Sequence, residues 1–232
     1  MMTDICIVPG HAILKGDNPL AESDWILEPF QRDGGHHVHC FLAHIKAGLA
    51  WLESNPHGQL VLSGGLTRPQ SPRSEAASYL LAAQKCGYLS SSTDIQRIIL
   101  EEFARDSLEN LLYGIAAGFA ATRFRIPRVT VIGFDFKRDR FFDHFASLKL
   151  GRGTTFDYIG INNPIEPQLS EAIAAESRVR AAFASILPEV RQSLKAKRDR
   201  RSWPGRKVLY ADQCREWPDL HRILIEWDSA NP

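Results

Sequence analysis

Cations, small-residue turns and carboxylates recur together in a few short stretches of this 232-residue chain. Ser63-Gly64-Gly65-Leu66-Thr67-Arg68 is a small-residue turn followed by a hydroxyl and a guanidinium. Such a turn lets backbone N–H groups approach an anion, and an arginine beside it can grip phosphate or carboxylate with two parallel bonds. Ser74-Glu75 follows. Glu75 lies near a helix start, where a carboxylate either answers the helix dipole or serves a ligand hydroxyl or amine, or acts as a base. Arg105-Asp106-Ser107-Leu108-Glu109-Asn110 has the same mixed chemistry. Asp106 and Glu109 have the spacing of a capping box, with Asp in place of Ser or Thr. Capping does not account for Arg105, nor for Asn110, a poor interior helix residue that favours local backbone bonds. Lys137, Arg138 and Arg140 open a helix where cations oppose the dipole. A bound anion resolves that conflict; a solvated turn with Asp135 and Asp139 as partners is the alternative. Pro9-Gly10-His11 adds a histidine for proton transfer or for pairing with a carboxylate.

The elements between these stretches bring them together. Ile5–Val8, Leu60–Leu62, Ile98–Leu100 and Val129–Ile132 are continuously apolar runs, as strands buried on both faces must be, and Phe156–Ile161 is a fifth candidate. Helical periodicity fills the gaps. It spans His36–Glu53 up to Asn55-Pro56, then a stretch from Pro72 toward Gly87. Leu108, Leu111, Leu112, Ile115, Ala116 and Phe119 form the clearest stripe; further helices follow over Lys137–Leu148 and Leu169–Leu187. Alternation of this kind predicts a Rossmann-like three-layer α/β/α sandwich with a mostly parallel sheet of about five strands. Ligands of such sheets bind beyond the carboxyl ends of the strands, where all the stretches above lie. One domain over 1–190 is expected, with 191–232 as a C-terminal basic loop and appendage packed on it. Residues 15–35 carry Trp25, Ile26, Leu27 and Phe30 and read as an ordered excursion leaving the first strand at the site edge.

Composition narrows the function. A formal net charge of +1 gives no global attraction to nucleic acid or to anionic membrane, so any anion preference must be local. The basic run Lys195–Lys207 lacks interleaved stacking aromatics beyond Trp203 and reads as an exposed loop or appendage; neither nucleic acid nor a membrane is expected as a partner, and protein partners are left open. The four cysteines form no CxxC pair and suit reduced thiols in the cytoplasm. The opening MMTDICIVPGH has no basic region and too short an apolar run for a secretory signal, and no stretch approaches the ~20 apolar residues of a spanning helix. His36, His37, His39 and His44 are dense, but no carboxylate among them has ligand spacing and the first three do not share a helix face, so no metal is assigned.

Taken in order, Ser63-Gly64-Gly65, Ser74-Glu75-Ala76, Arg105-Asp106-Ser107-Leu108-Glu109-Asn110 and the loop ending in Arg140 resemble the SanA/YdcF/ElyC-like domain-of-unknown-function family over roughly residues 4–150, and the chain looks most like a soluble eukaryotic, fungal branch. The resemblance implies a Rossmann-like fold. It also implies S-adenosylmethionine as a candidate cofactor, through a soluble bacterial member, and envelope-precursor metabolism, through anchored members. Asp106-Ser107 stands where the family often has Asn-Thr, and Lys137 where it often has His. A lysine replaces a proton-donating histidine well near neutral pH only if its pKa falls.

These readings lead to a pocket for an anionic, phosphorylated or nucleotide-like small molecule, with possible hydrolysis of a phosphoester or phosphoanhydride. His11, Glu75 and Glu109 are the catalytic candidates. Gly10, Ser63, Gly64, Gly65, Thr67, Arg68, Ser74, Arg105, Asp106, Ser107, Asn110, Lys137 and Arg140 are the ligand-binding candidates. A non-catalytic module for S-adenosylmethionine or a nucleotide is the first alternative. An interaction protein with a vestigial pocket, working through 15–35 and 195–207, is the second.

Overall fold

A computed structural model describes residues 2–32, 34, 36–68, 71–89, 95–151, 153–185 and 188–231, without the side chains of 188–191. Five strands, β1 (Ile5–Pro9), β4 (Gln59–Ser63), β5 (Ile98–Glu101), β6 (Arg128–Phe134) and β7 (Thr155–Asn162), form one parallel sheet in the order β5-β4-β1-β6-β7. Two-residue strands β2 (Ile13–Leu14) and β3 (Trp25–Ile26) make a separate antiparallel pair inside the 15–35 excursion. The chain winds outward from β1 through β4 to β5, then returns to place β6 on the other side of β1. The order therefore reverses between β1 and β6, and such a switch point leaves a crevice at the carboxyl edge of the sheet.

Alternation along β1 divides the core into two layers. Ile5 and Ile7 face α3 (Ser107–Thr122) and α4 (Arg138–Leu148), while Cys6 and Val8 face α1 (His37–Ser54), α2 (Glu75–Lys85) and the small hairpin. The outcome is the three-layer α/β/α arrangement expected from the sequence. Local signals explain the main helix starts. Asp106 caps α3 by accepting from the N–H groups of Leu108 and Glu109 at 3.0 Å each, and Ser74 caps α2 by accepting from Ala77 N at 2.9 Å. Pro72 thus lies before α2 rather than in its first turn. The capping box at α3 is only half made. Glu109 reaches back not to Asp106 but one residue further, to Arg105 N at 2.7 Å.

The C-terminal third differs most from expectation. The helix expected over Leu169–Leu187 is α5 (Gln168–Ala184), with Leu187 outside the described residues. It is no crossover helix on the sheet. Glu176 is its one buried residue, and α5 pairs with α6 (Pro188–Arg200) as a helical hairpin above the carboxyl edge. The basic stretch is therefore helical through Arg200, and Arg198 within it is buried. A division at 190/191 would cut α6. Beyond it, α7 (Tyr210–Gln213) and α8 (Pro218–Ala230) put Tyr210, Cys214, Leu220 and Leu224 into the same core as α3. Among the described residues no helix is long and apolar enough to cross a membrane.

Candidate functional site

The crevice at the switch point is a cavity of about 470 Å³. Its floor is the end of β1 (Pro9, Gly10, His11) and of β6 (Phe134, Phe136, Lys137), its side is the start of α3, and its roof is the α5–α6 hairpin. Glu28, Phe30 and Gln31 from the excursion close another side.

Of the sequence candidates, Gly10, His11, Glu75, Arg105, Asp106, Ser107, Asn110, Lys137 and Arg140 reach this cavity. The small-residue turn does something other than cradle an anion. Gly10 N donates to Ser63 O, Gly64 N to Glu101 O and Gly65 N to Ala104 O, so these N–H groups are already spent between loops. Gly10 and Gly64 are needed for proximity to Glu75 instead, and Gly65 for proximity to Ala104 O. A Cβ on Gly10 would stand 2.5 Å from Glu75 Cβ, and one on Gly64 2.7 Å from it. Ser63 is buried and donates to Glu101 at 2.6 Å, tying β4 to β5. Glu101 in turn accepts from Phe103 N at 2.7 Å, and burial raises its pKa to about 7. Ser74 is spent as the α2 cap and on Glu102 at 2.7 Å. Thr67 and Arg68 line a neighbouring cleft of about 320 Å³, where Thr67 donates to Glu75 at 2.6 Å and Arg68 pairs with Glu28.

Arg105 and Glu109 hold the fold together rather than a ligand. Both side chains are fully buried and joined at 2.6 Å. Arg105 further donates to Ser202 Oγ at 2.9 Å and to Asn231 O at 3.0 Å, while Glu109 accepts from Trp227 Nε1 at 3.2 Å. The guanidinium is committed to fastening α8 and the 201–206 turn onto α3, and Glu109 does not reach the cavity. His11 has no partner for proton transfer among the described residues, since its Nε2 makes no hydrogen bond. Its ring stacks on Phe134 at 5.1 Å, and burial, then the nearby cations Lys137 and Arg140, hold its pKa well below the usual histidine value. It stands neutral, as do His37 (lowered to about 4) and His44 (lowered to about 3), both chiefly by burial. Among the described residues no group of three or more His, Cys, Asp or Glu side chains is placed to hold a metal.

The cavity's charge pattern comes from both predicted and unforeseen groups. Arg140 pairs with Glu176 of α5 at 3.1 Å, and Asp106 with Arg198 of α6 at 3.0 Å. Arg201 sits 3.5 Å from Glu28. Lys137 and Lys197 have no ion pair among the described residues, and Lys137 Nζ lies over the rings of Phe134 (5.0 Å) and Phe136 (5.6 Å). Burial, then repulsion from Arg140, lowers the Lys137 pKa to about 7; burial, then Arg201, lowers that of Lys197. Burial raises Glu75, against the pull of Arg201 and Thr67. The Phe134, Phe136, Phe141 and Phe183 rings supply an apolar wall.

Arg140 and His144 stand four residues apart in α4, a spacing that puts them on one face, and Lys197 and Arg201 have the same spacing at the end of α6, with Arg201 one residue past it. That signal was present in the sequence. Glu176 had none, since α5 lacks a clear apolar stripe.

Comparison with known proteins adds one relative. The chain is similar to uncharacterized protein YOR238W of Saccharomyces cerevisiae, 27% identical over 208 residues, the match covering 68% of this chain and 67% of the relative. No family model matches the chain. No solved structure matches it.

Proposed function

We propose that this protein binds an anionic, phosphorylated or nucleotide-like small molecule in the switch-point cavity, in the cytoplasm. One observation carries the reading: Lys137, Arg140, Lys197 and Arg201 converge on one enclosed space, and Lys137 and Lys197 lack a carboxylate partner among the described residues. Cations held in mutual repulsion destabilise a fold unless something compensates, and a ligand phosphate supplies the missing charge. The aromatic wall suits a base or another flat apolar body. Glu75, kept closer to neutral by burial, is the remaining carboxyl suited to proton transfer. The SanA/YdcF/ElyC-like resemblance belongs to the same proposal. Its support is that pieces of all four quoted stretches gather at this edge of the sheet.

S-adenosylmethionine fits less well. Its sulfonium would enter a space whose unpaired charges, Lys137 and Lys197, are positive. Nucleotide binding without turnover remains the second reading, favoured by the aromatic wall.

A thermal-shift panel of nucleotides, sugar phosphates, pyrophosphate, S-adenosylmethionine and S-adenosylhomocysteine tests this. A phosphorylated ligand at ~100 times its Kd adds about 2.7 kcal/mol, a rise of roughly 5–10 °C for a domain of this size. Shifts from S-adenosylmethionine alone, with none from any phosphate, would overturn the phosphate reading. Steady product release would decide against the binding-only alternative.

A further inference from the structure

Ser107 lines the cavity at the first residue of α3, and its Oγ lies 2.9 Å from Nε2 of His144, which stands behind it on α4. His144 is buried, its ring held edge-on by Phe183 (4.5 Å) and Phe141 (5.9 Å). Burial, then Arg140, lowers its pKa to about 4 in the ligand-free protein, so the imidazole is neutral; a phosphate anion bound beside Arg140 offsets that repulsion and raises its basicity toward the range a proton carrier needs. With the ring proton on Nδ1, Ser107 O–H donates to Nε2. A hydroxyl that faces a cavity and is bonded to a fixed imidazole is the basic arrangement of an activated nucleophile. A second feature points to a ligand at the same place. Arg140 is only 8% exposed and lines the cavity one helical turn before His144, with its Nε held 3.1 Å from Glu176 Oε1 as an ion pair. An incoming phosphoryl oxygen would meet a guanidinium already fixed in the cavity wall by Glu176.

We propose that Ser107 is a nucleophile, with His144 as its general base, for transfer of a phosphoryl group from the bound ligand to water. The proposal rests on the anion-binding reading above and adds the chemistry. Ser107 Oγ forms a bond to phosphorus as the bond from phosphorus to the leaving oxygen breaks, and the Oγ proton passes to His144 Nε2 and on to that oxygen. Water then attacks the seryl phosphate and gives its proton to Nε2. The Oγ–P bond breaks, the proton returns to Oγ, and phosphate leaves. Arg140 and Lys137 stabilise the charge that builds on the non-bridging oxygens. Neither His11 nor Glu109 takes part.

The test uses a biotinylated fluorophosphonate, in which Ser107 Oγ would displace fluoride from phosphorus. Full-length protein should be labelled at one site, mapped by mass spectrometry to Ser107. Ser107→Ala should abolish labelling, and His144→Asn or His144→Gln, whichever melts closer to the parent, should slow it at least tenfold. Labelling no faster than that of heat-unfolded protein, or labelling that persists in Ser107→Ala, overturns the proposal. So does an unchanged rate in a folded His144 variant. A pyrophosphate thermal shift on the parent protein, run alongside, separates the two claims. A shift without labelling defeats the nucleophile alone, and the loss of both defeats the binding site as well.

Discussion

Replacing Glu109 by alanine should cost about 3–5 kcal/mol, the usual penalty for removing one partner of a fully buried ion pair. The melting temperature should fall by roughly 10 °C or more. Four donors lose their acceptor at once: Arg105 N, Nε and NH2, and Trp227 Nε1. Arg206, 3.7 Å away, loses a countercharge as well. Neither side chain of the Arg105–Glu109 pair has any exposure through which water can replace the lost contact. A second variant identifies the cause. Glu109→Leu combined with Arg105→Met removes both charges and should recover much of the loss, because apolar replacement of a complete buried pair is often neutral. Chemical denaturation of the two single variants and the double variant measures this directly. If Glu109 were instead a catalytic carboxylate open to the cavity, Glu109→Gln would melt like the parent.

Lys137→Met should have the opposite sign. Burial, then repulsion from Arg140, outweighs the attraction of Glu176 and Glu75 and lowers the Lys137 pKa to about 7, so the folded state releases a proton that the unfolded chain keeps up to its ordinary value of about 10.5. Between those values the unfolded state binds more protons, so stability rises with pH across that window. The penalty for carrying the charge is therefore complete below about pH 7 and fades toward pH 10.5. Methionine keeps the contact with Phe134 and Phe136 and removes the charge. With allowance for the residue's partial exposure, the gain should be on the order of 2 kcal/mol at pH 6, roughly 4–8 °C in melting temperature, and should vanish near pH 10. A residue that destabilises its own fold and can be improved so simply is typical of a binding site. Melting curves of parent and variant at pH 6, 8 and 10 decide the matter; a Lys137→Met variant less stable at pH 6 would show that the cation is compensated within the protein.

The parts of the fold legible in the sequence were those written in local pattern. β1, β4 and β6 are continuous apolar runs, and the α3 stripe with Asp106 ahead of it specifies a helix and its start without outside help. The site was legible where a residue type conflicted with its local surroundings, as with Lys137 and Arg140 at a helix start. Misreadings arose where distant partners decide the role. Arg105 looked free for a ligand because Asn231 O and Ser202, 126 and 97 residues away, are invisible to it in the sequence. Ser63-Gly64-Gly65 has the composition of an anion cradle, but neighbouring loops occupy its N–H groups. Lys197 and Arg201 lay in a stretch whose charge and Trp203-Pro204-Gly205 suggested solvent. The long-range docking of α5 and α6 over the crevice turned that face inward.

The most direct test of the central claim is calorimetric titration with inorganic pyrophosphate at pH 6 and pH 8, comparing the parent with a Lys137→Met/Lys197→Met double variant. Saturable one-site binding is expected in the parent. Affinity should be at least tenfold weaker in the double variant, and the parent's extra tightening at pH 6, where Lys137 carries its charge, should be missing from it. No saturable heat from correctly folded parent, or equal affinity in the two proteins, would contradict the assignment of this cavity as an anion site.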